Sequence, residues 1–111
     1  PPHCAMAVSW AYVEAGSQAF KQGERWAYCP YIWRDAQAGN FGLRVVSSPG
    51  RGDLVLFEWG DSGASEPDHV GLFDSPAGGG QVNTLESNIQ NMVRREVRSP
   101  SVITCYVRVT K

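Results

Sequence analysis

The feature that most constrains the fold is a change of character at Gly52. Beyond it the chain breaks into short segments rich in Val, Leu, Ile and Phe: 54–59, 69–74, 81–86, 92–98 and 102–109. Apolar or alternating runs of this length, bounded by Gly, Pro, Ser and Asp clusters, read as strands, and short connections favour antiparallel pairing. The first run, L-V-L-F-E-W, is apolar enough for a well-buried strand, and 60–68 is a polar loop. Arg51-Gly52-Asp53 has the form of an adhesion tripeptide, but its place before that run reads as a turn feeding a strand. Gly78-Gly79-Gly80, within the Gly/Pro loop 75–80, precedes a strand rather than a helix and lacks the lysine of a P-loop. It therefore reads as a hairpin tip.

Upstream of Gly52 the pattern is helical. Pro1-Pro2 suits a helix start, because proline brings no N–H that would go unsatisfied there. Cys4, Val8, Ala11 and Ala15 then form one stripe of an amphipathic helix over 4–15, stopped by Gly16. Ser17 can cap a short turn at 18–22. Pro30 starts a second helix running to about Ala38, stopped by Gly39-Asn40. The glycine- and proline-rich stretch 39–52 reads as loop or irregular extended chain. Helices first and strands after define an α+β domain, with helix 4–15 packed on one face of an antiparallel sheet of about five to six strands.

At 111 residues the chain fits one compact domain, 1–111. It begins on Pro-Pro rather than Met, which reads as a domain excised from a longer protein. Ten basic residues against eleven acidic give a formal charge of −1, which speaks against nucleic-acid binding as the main role. No apolar run approaches a membrane span, and no signal-peptide pattern is present. Three cysteines cannot all pair within one chain, and none forms C-x-x-C, so a zinc knuckle or dithiol redox pair is not expected. Cys29 and Cys105 read as buried free thiols.

Cys4 is the candidate nucleophile. Its thiolate would be stabilised by a helix N-terminus and by a nearby imidazolium. His3 adjoins it but points elsewhere at a helix start, so it is a poor partner and a candidate groove residue instead. His69 opens a strand and is better placed. If Asp74 pairs with Gln81 across the 75–80 loop, Gly71 faces Thr84 and His69 faces Glu86, with Cβ atoms about 4.5–5.5 Å apart. Glu86 could then orient the imidazole, as the third member of a triad does. A two-residue slip would bring Thr84 or Asn88 opposite His69, and Asn88 is an alternative orienter or substrate contact. Gly71 leaves room on the same face for a helix to approach. Cys4, His69 and Glu86 thus make a consistent nucleophile–base–orienter set. Cys4 and His69 alone fall short of a structural zinc set, so neither metal nor cofactor is expected. Asp61, Glu66 and Asp68 read as a solvated loop. Of the four tryptophans, Trp10, Trp26 and Trp33 read mainly as core and Trp59 as a substrate contact.

C-A-M-A-V-S-W-A at the front, G-D-L-V-L-F at 52–57, D-H-V-G-L-F at 68–73 and T-L-E-S-N at 84–88 resemble, in order, the CHAP domain. That is the cysteine, histidine-dependent amidohydrolase/peptidase branch of the papain-like NlpC superfamily. The resemblance implies a helix carrying nucleophile Cys4, a sheet carrying general base His69 and orienting acid Glu86, and Asn88 as the polar residue of E-x-N. It also implies a peptidoglycan hydrolase of phage-endolysin type that cleaves cell-wall peptide amides. Such a protein would be a monomer, joined to other domains in the full-length chain and made in the host cytoplasm. The alternatives are an N-acetylmuramoyl-L-alanine amidase with the same triad, and a non-catalytic wall-binding module. His3 stands where many members carry Gln, which leaves one oxyanion donor unaccounted for. Nothing lies upstream of Cys4 to match the calcium-binding carboxylates of some relatives.

Overall fold

The computed structural model describes residues 29–59, 66–87 and 92–110. Helix α1 runs Cys29–Ala38, with Pro30 in its first turn. Cys29, Ile32 and Ala36 lie on one face by helical spacing, and all three are buried. Gly39 ends the helix in the left-handed region (φ 72°), and its N–H bonds back to the Ala36 carbonyl at 3.2 Å. Glycine is suited to that conformation because it has no Cβ to clash. The expected second helix is therefore present. The expected helix 4–15 and turn 18–22 lie outside the described residues.

Six antiparallel strands follow: β1 Leu43–Val46, β2 Leu54–Phe57, β3 His69–Gly78, β4 Gln81–Ser87, β5 Val93–Arg98 and β6 Ile103–Val109. They form one sheet in the order β1-β6-β2-β3-β4-β5. Helix plus antiparallel sheet is compatible with the α+β class expected from the sequence. All four residues of β2 are buried, so its two faces are both covered. Toward α1, Leu54 and Leu56 join Val70, Val107, Leu43, Ile32 and Ala36 in one apolar cluster. On the opposite face Val55 and Phe57 pack with Phe73 and Val82, flanked by Trp59 and Tyr106.

Two expectations for the sheet are corrected. Strand β1 is a regular strand within the stretch read as loop or irregular extended chain; its four residues pair with β6, sixty or more positions away. The 75–80 segment is also not a six-residue loop. Strand β3 continues through Ser-Pro-Ala to Gly78, and only Gly79-Gly80 turn, both with positive φ. Two such residues connecting antiparallel strands match the twist of a tight hairpin. The register shifts between Phe73 and Ser75 and again between Pro76 and Gly78, as bulges do, with Pro76 offering no N–H to the ladder.

The R-G-D turn is tied at both ends. Asp53 accepts from the Gly50 N–H at 2.7 Å and from Arg108 Nη2 at 2.7 Å, while Arg51 pairs with Asp74 at 3.0 Å. Asp53 and Asp74 are both buried side chains. The tripeptide is a structural turn into β2.

Candidate active site

The site is built where β2, β3, β4 and β5 meet on the sheet face opposite α1. His69 is the first residue of β3 and pairs with Phe57, the last of β2. Trp59, two residues on, stacks parallel to Phe57 with ring centroids 5.1 Å apart and an interplanar angle of 8°. The imidazole lies against both rings, at 5.5 Å and 5.3 Å. Its side chain is 12% exposed.

His69 Nε2 lies 2.9 Å from Glu86 Oε1. The contact expected between these residues is present, but the pairing behind it differs. Leu72 pairs with Leu85 and Phe73 with Thr84, so Glu86 lies across from Gly71 and reaches His69 diagonally. Gly71 makes this reach possible. A Cβ there would sit 2.8 Å from Glu86 Cγ and 3.0 Å from the Leu85 carbonyl oxygen. Among the described residues, the space left by Gly71 is used by the Glu86 side chain.

Glu86 is buried and fully hydrogen-bonded. Oε1 takes His69 and Arg98 Nη2 (2.7 Å); Oε2 takes Arg98 Nε (2.9 Å) and the Thr84 hydroxyl (2.5 Å). Burial alone would raise its pKa, but the bonds from Arg98, His69 and Thr84 outweigh burial and lower it to about 2. The group is therefore a carboxylate at neutral pH and can only accept. It follows that Nε2 carries the ring hydrogen and Nδ1 is the basic nitrogen of the neutral ring.

Arg98, on β5, is the site residue that sequence reasoning missed. Besides gripping both Glu86 oxygens, its guanidinium carbon lies 4.8 Å from the Trp59 ring centroid. A signal was available: the alternation V-R-R-E-V-R puts Arg94, Glu96 and Arg98 on one face of β5. A cleft of about 180 Å³ opens over these groups, lined by Trp59, His69, Glu86, Arg94, Glu96 and Arg98, with Ser87 at its edge. Trp59 thus stands beside the His–Glu pair.

Cys4, His3 and Asn88 lie outside the described residues, as do Trp10, Trp26 and Asp61. Trp33 packs against the α1-side core. Neither Cys29 nor Cys105 forms a disulfide; Cys29 is buried as expected, whereas Cys105 is only half-buried. Burial still pushes the Cys105 thiol up to about 11, far from the range of a reactive thiolate. Glu66 is drawn into an ion pair with Arg34 at 2.8 Å, and Asp68 accepts from the Trp59 N–H at 3.3 Å. No group of His, Cys, Asp and Glu suited to a metal ion occurs among the described residues, and no helix there is long and apolar enough to cross a membrane.

A histidine at the end of an interior strand, held by a buried carboxylate from the neighbouring strand, is an arrangement used by hydrolases with a nucleophilic side chain. Residues 1–88 match the family model of the CHAP domain, and the chain belongs to that family. The family is one of hydrolases, and it points to peptidoglycan amidase or peptidase chemistry at the cell wall. Comparison with curated proteins and with solved structures finds no match.

Proposed function

We propose that this chain is the catalytic domain of a papain-like cysteine hydrolase that cleaves amide bonds within peptidoglycan peptides. Cys4 is the nucleophile, His69 the general base and Glu86 the orienting acid, with Asn88 as an alternative orienter or substrate contact and Trp59 and His3 as substrate-groove residues. The observation that carries this reading is the His69 Nε2–Glu86 Oε1 bond, made to a carboxylate held by four hydrogen bonds.

The tautomer sets the direction of proton flow. With Nε2–H committed to Glu86, Nδ1 takes the proton of the Cys4 thiol and the thiolate attacks the amide carbonyl. The protonated ring then gives that proton to the leaving amine as the carbon–nitrogen bond breaks. Water, deprotonated by the same nitrogen, hydrolyses the thioester and restores the thiol. Glu86 offsets the imidazolium charge in the intermediate steps.

Turbidity of purified cell walls, compared between the wild type and Cys4→Ala, tests the reading. Clearing by the wild type and none by Cys4→Ala is expected; equal clearing by both would sink it. Mass spectrometry of the released fragments should show cut peptides. Peptides freed intact from muramic acid would instead identify an N-acetylmuramoyl-L-alanine amidase.

A further inference from the structure

We infer that Arg98 is a positioning residue of the hydrolytic site, one that fixes Glu86 and through it both the tautomer and the basicity of His69. The inference rests on the proposed roles of His69 and Glu86 and adds a fourth side chain, from a strand that lies beyond the segment matched by the family model.

The geometry points to a clamp rather than a surface ion pair. Nε and Nη2 of Arg98 donate to different oxygens of the same carboxylate, at 2.9 and 2.7 Å. A planar fork meeting a planar carboxylate fixes its rotation as well as its distance, which a lysine ammonium cannot do. The fork is itself held from the far side, since it lies over the Trp59 ring at 4.8 Å and near Phe57 at 5.8 Å. Those rings also flank His69. Arg98, Glu86, His69 and Trp59 therefore form a closed circuit in which each side chain limits its neighbours.

Two consequences follow for the chemistry. Without Arg98, Glu86 keeps only its bonds to Thr84 and His69, and its carboxylate can rotate away from the Nε2 direction. The Arg98 cation also offsets the Glu86 charge that His69 feels, so the ring is not locked as an imidazolium before it can act as a base. Other charged or polar groups around this pair among the described residues are Arg94 and Glu96 from β5 and Thr84 and Ser87 from β4; β2 contributes the Phe57 ring and the segment after it the Trp59 ring, while Asp68, next to His69 in the chain, accepts from the Trp59 N–H.

The test uses Arg98→Lys and Arg98→Met, with two readouts: turnover of a soluble muropeptide, and ring ¹⁵N chemical shifts of His69 against pH. The chain has only two histidines, so substitution of His3 assigns the signals. For Arg98→Met we expect kcat to fall by about 10- to 100-fold with KM within about twofold, as for a misplaced catalytic group. The His69 titration midpoint should rise and its Nε2–H tautomer lose population. Arg98→Lys should recover the midpoint in part, because the charge remains, but not the tautomer. Either readout moving without the other, or a loss of kcat that only follows loss of near-UV circular dichroism, overturns the inference. If the wild type hydrolyses nothing, the proposed function fails, and the titration alone decides whether Arg98 governs His69.

Discussion

The two faces of the sheet use the same strands for opposite purposes. Toward α1 the chain presents Leu54, Leu56, Val70 and Val107, all with 0% exposure, against Ile32 and Ala36. That side gains stability from apolar burial, and similar apolar shapes would serve it. The other face buries Val55, Phe73 and Val82 as well, but beside them it carries Phe57, Trp59, His69, Glu86 and Arg98, whose contacts depend on ring stacking or on a donor meeting an acceptor. Alternation along β2 and β3 sends neighbouring residues to these two environments, Leu56 to one and Phe57 to the other, Val70 to one and His69 to the other. The candidate site thus occupies one parity of position, although both faces bury apolar residues.

The sharpest way to break that contrast is to cut each face once. His69→Ala should lower wall hydrolysis by at least about 1,000-fold, with the thermal midpoint little changed. Ile32→Ala should cost about 2–5 kcal/mol in denaturant unfolding, with the activity of the remaining folded protein intact. Loss of chemistry from the Ile32 change, or no loss from the His69 change, would dissolve the division.

Gly71→Ala probes the point where the faces constrain each other. The new methyl meets Glu86 Cγ and the Leu85 carbonyl, a backbone atom that cannot swing aside. A stability loss of about 1–3 kcal/mol is expected from overpacking, together with reduced turnover as Glu86 is pushed off His69.

Acid titration comes next in size. Glu86 is depressed from 4.5 to about 2 in the folded protein. Its contribution to stability is therefore fully present above its unfolded pKa and is lost as pH falls through the folded value. Unfolding free energy measured from pH 6 down to pH 2 should decline below about pH 4.5, and Glu86→Gln should flatten that part of the curve. The smallest effect is expected at Arg51→Ala. Its side chain is 81% exposed in its pair with Asp74, and such pairs are worth less than about 1 kcal/mol.

Much of this was legible in the sequence where the signal was local. Pro30 and Gly39 bracket α1 by simple backbone rules. The runs beginning at Leu54, His69 and Gln81 fall on strands because their flanking turn residues are unambiguous. The His69–Glu86 contact could be anticipated from the hairpin, although its register could not. Ser75-Pro76-Ala77 carries turn chemistry but lies in a bulged strand, so the pairing near the site slips and the two residues meet diagonally. Strand β1 was hidden because Gly39, Gly42, Pro49 and Gly50 surround four residues whose pairing partner among the described residues is the distant β6. Arg98 was hidden for a related reason. A salt bridge made diagonally between the paired strands β4 and β5 leaves no periodic mark in the chain, only a charged residue on an alternating strand.

The place of β6 has its own consequence. It is last of the six strands in sequence but second in the sheet, between β1 and β2. During synthesis β1 and the outer edge of β2 must wait for it, and pairing Leu43 with Val109 closes a loop of more than sixty residues. Closure of long loops is entropically costly and slows folding. The hairpin that holds His69 and Glu86 is local and can form early, while the strand that completes the sheet arrives last. A nascent chain can therefore carry His69 and Glu86 together before it has a finished fold, with the β2 edge open to any other strand in reach.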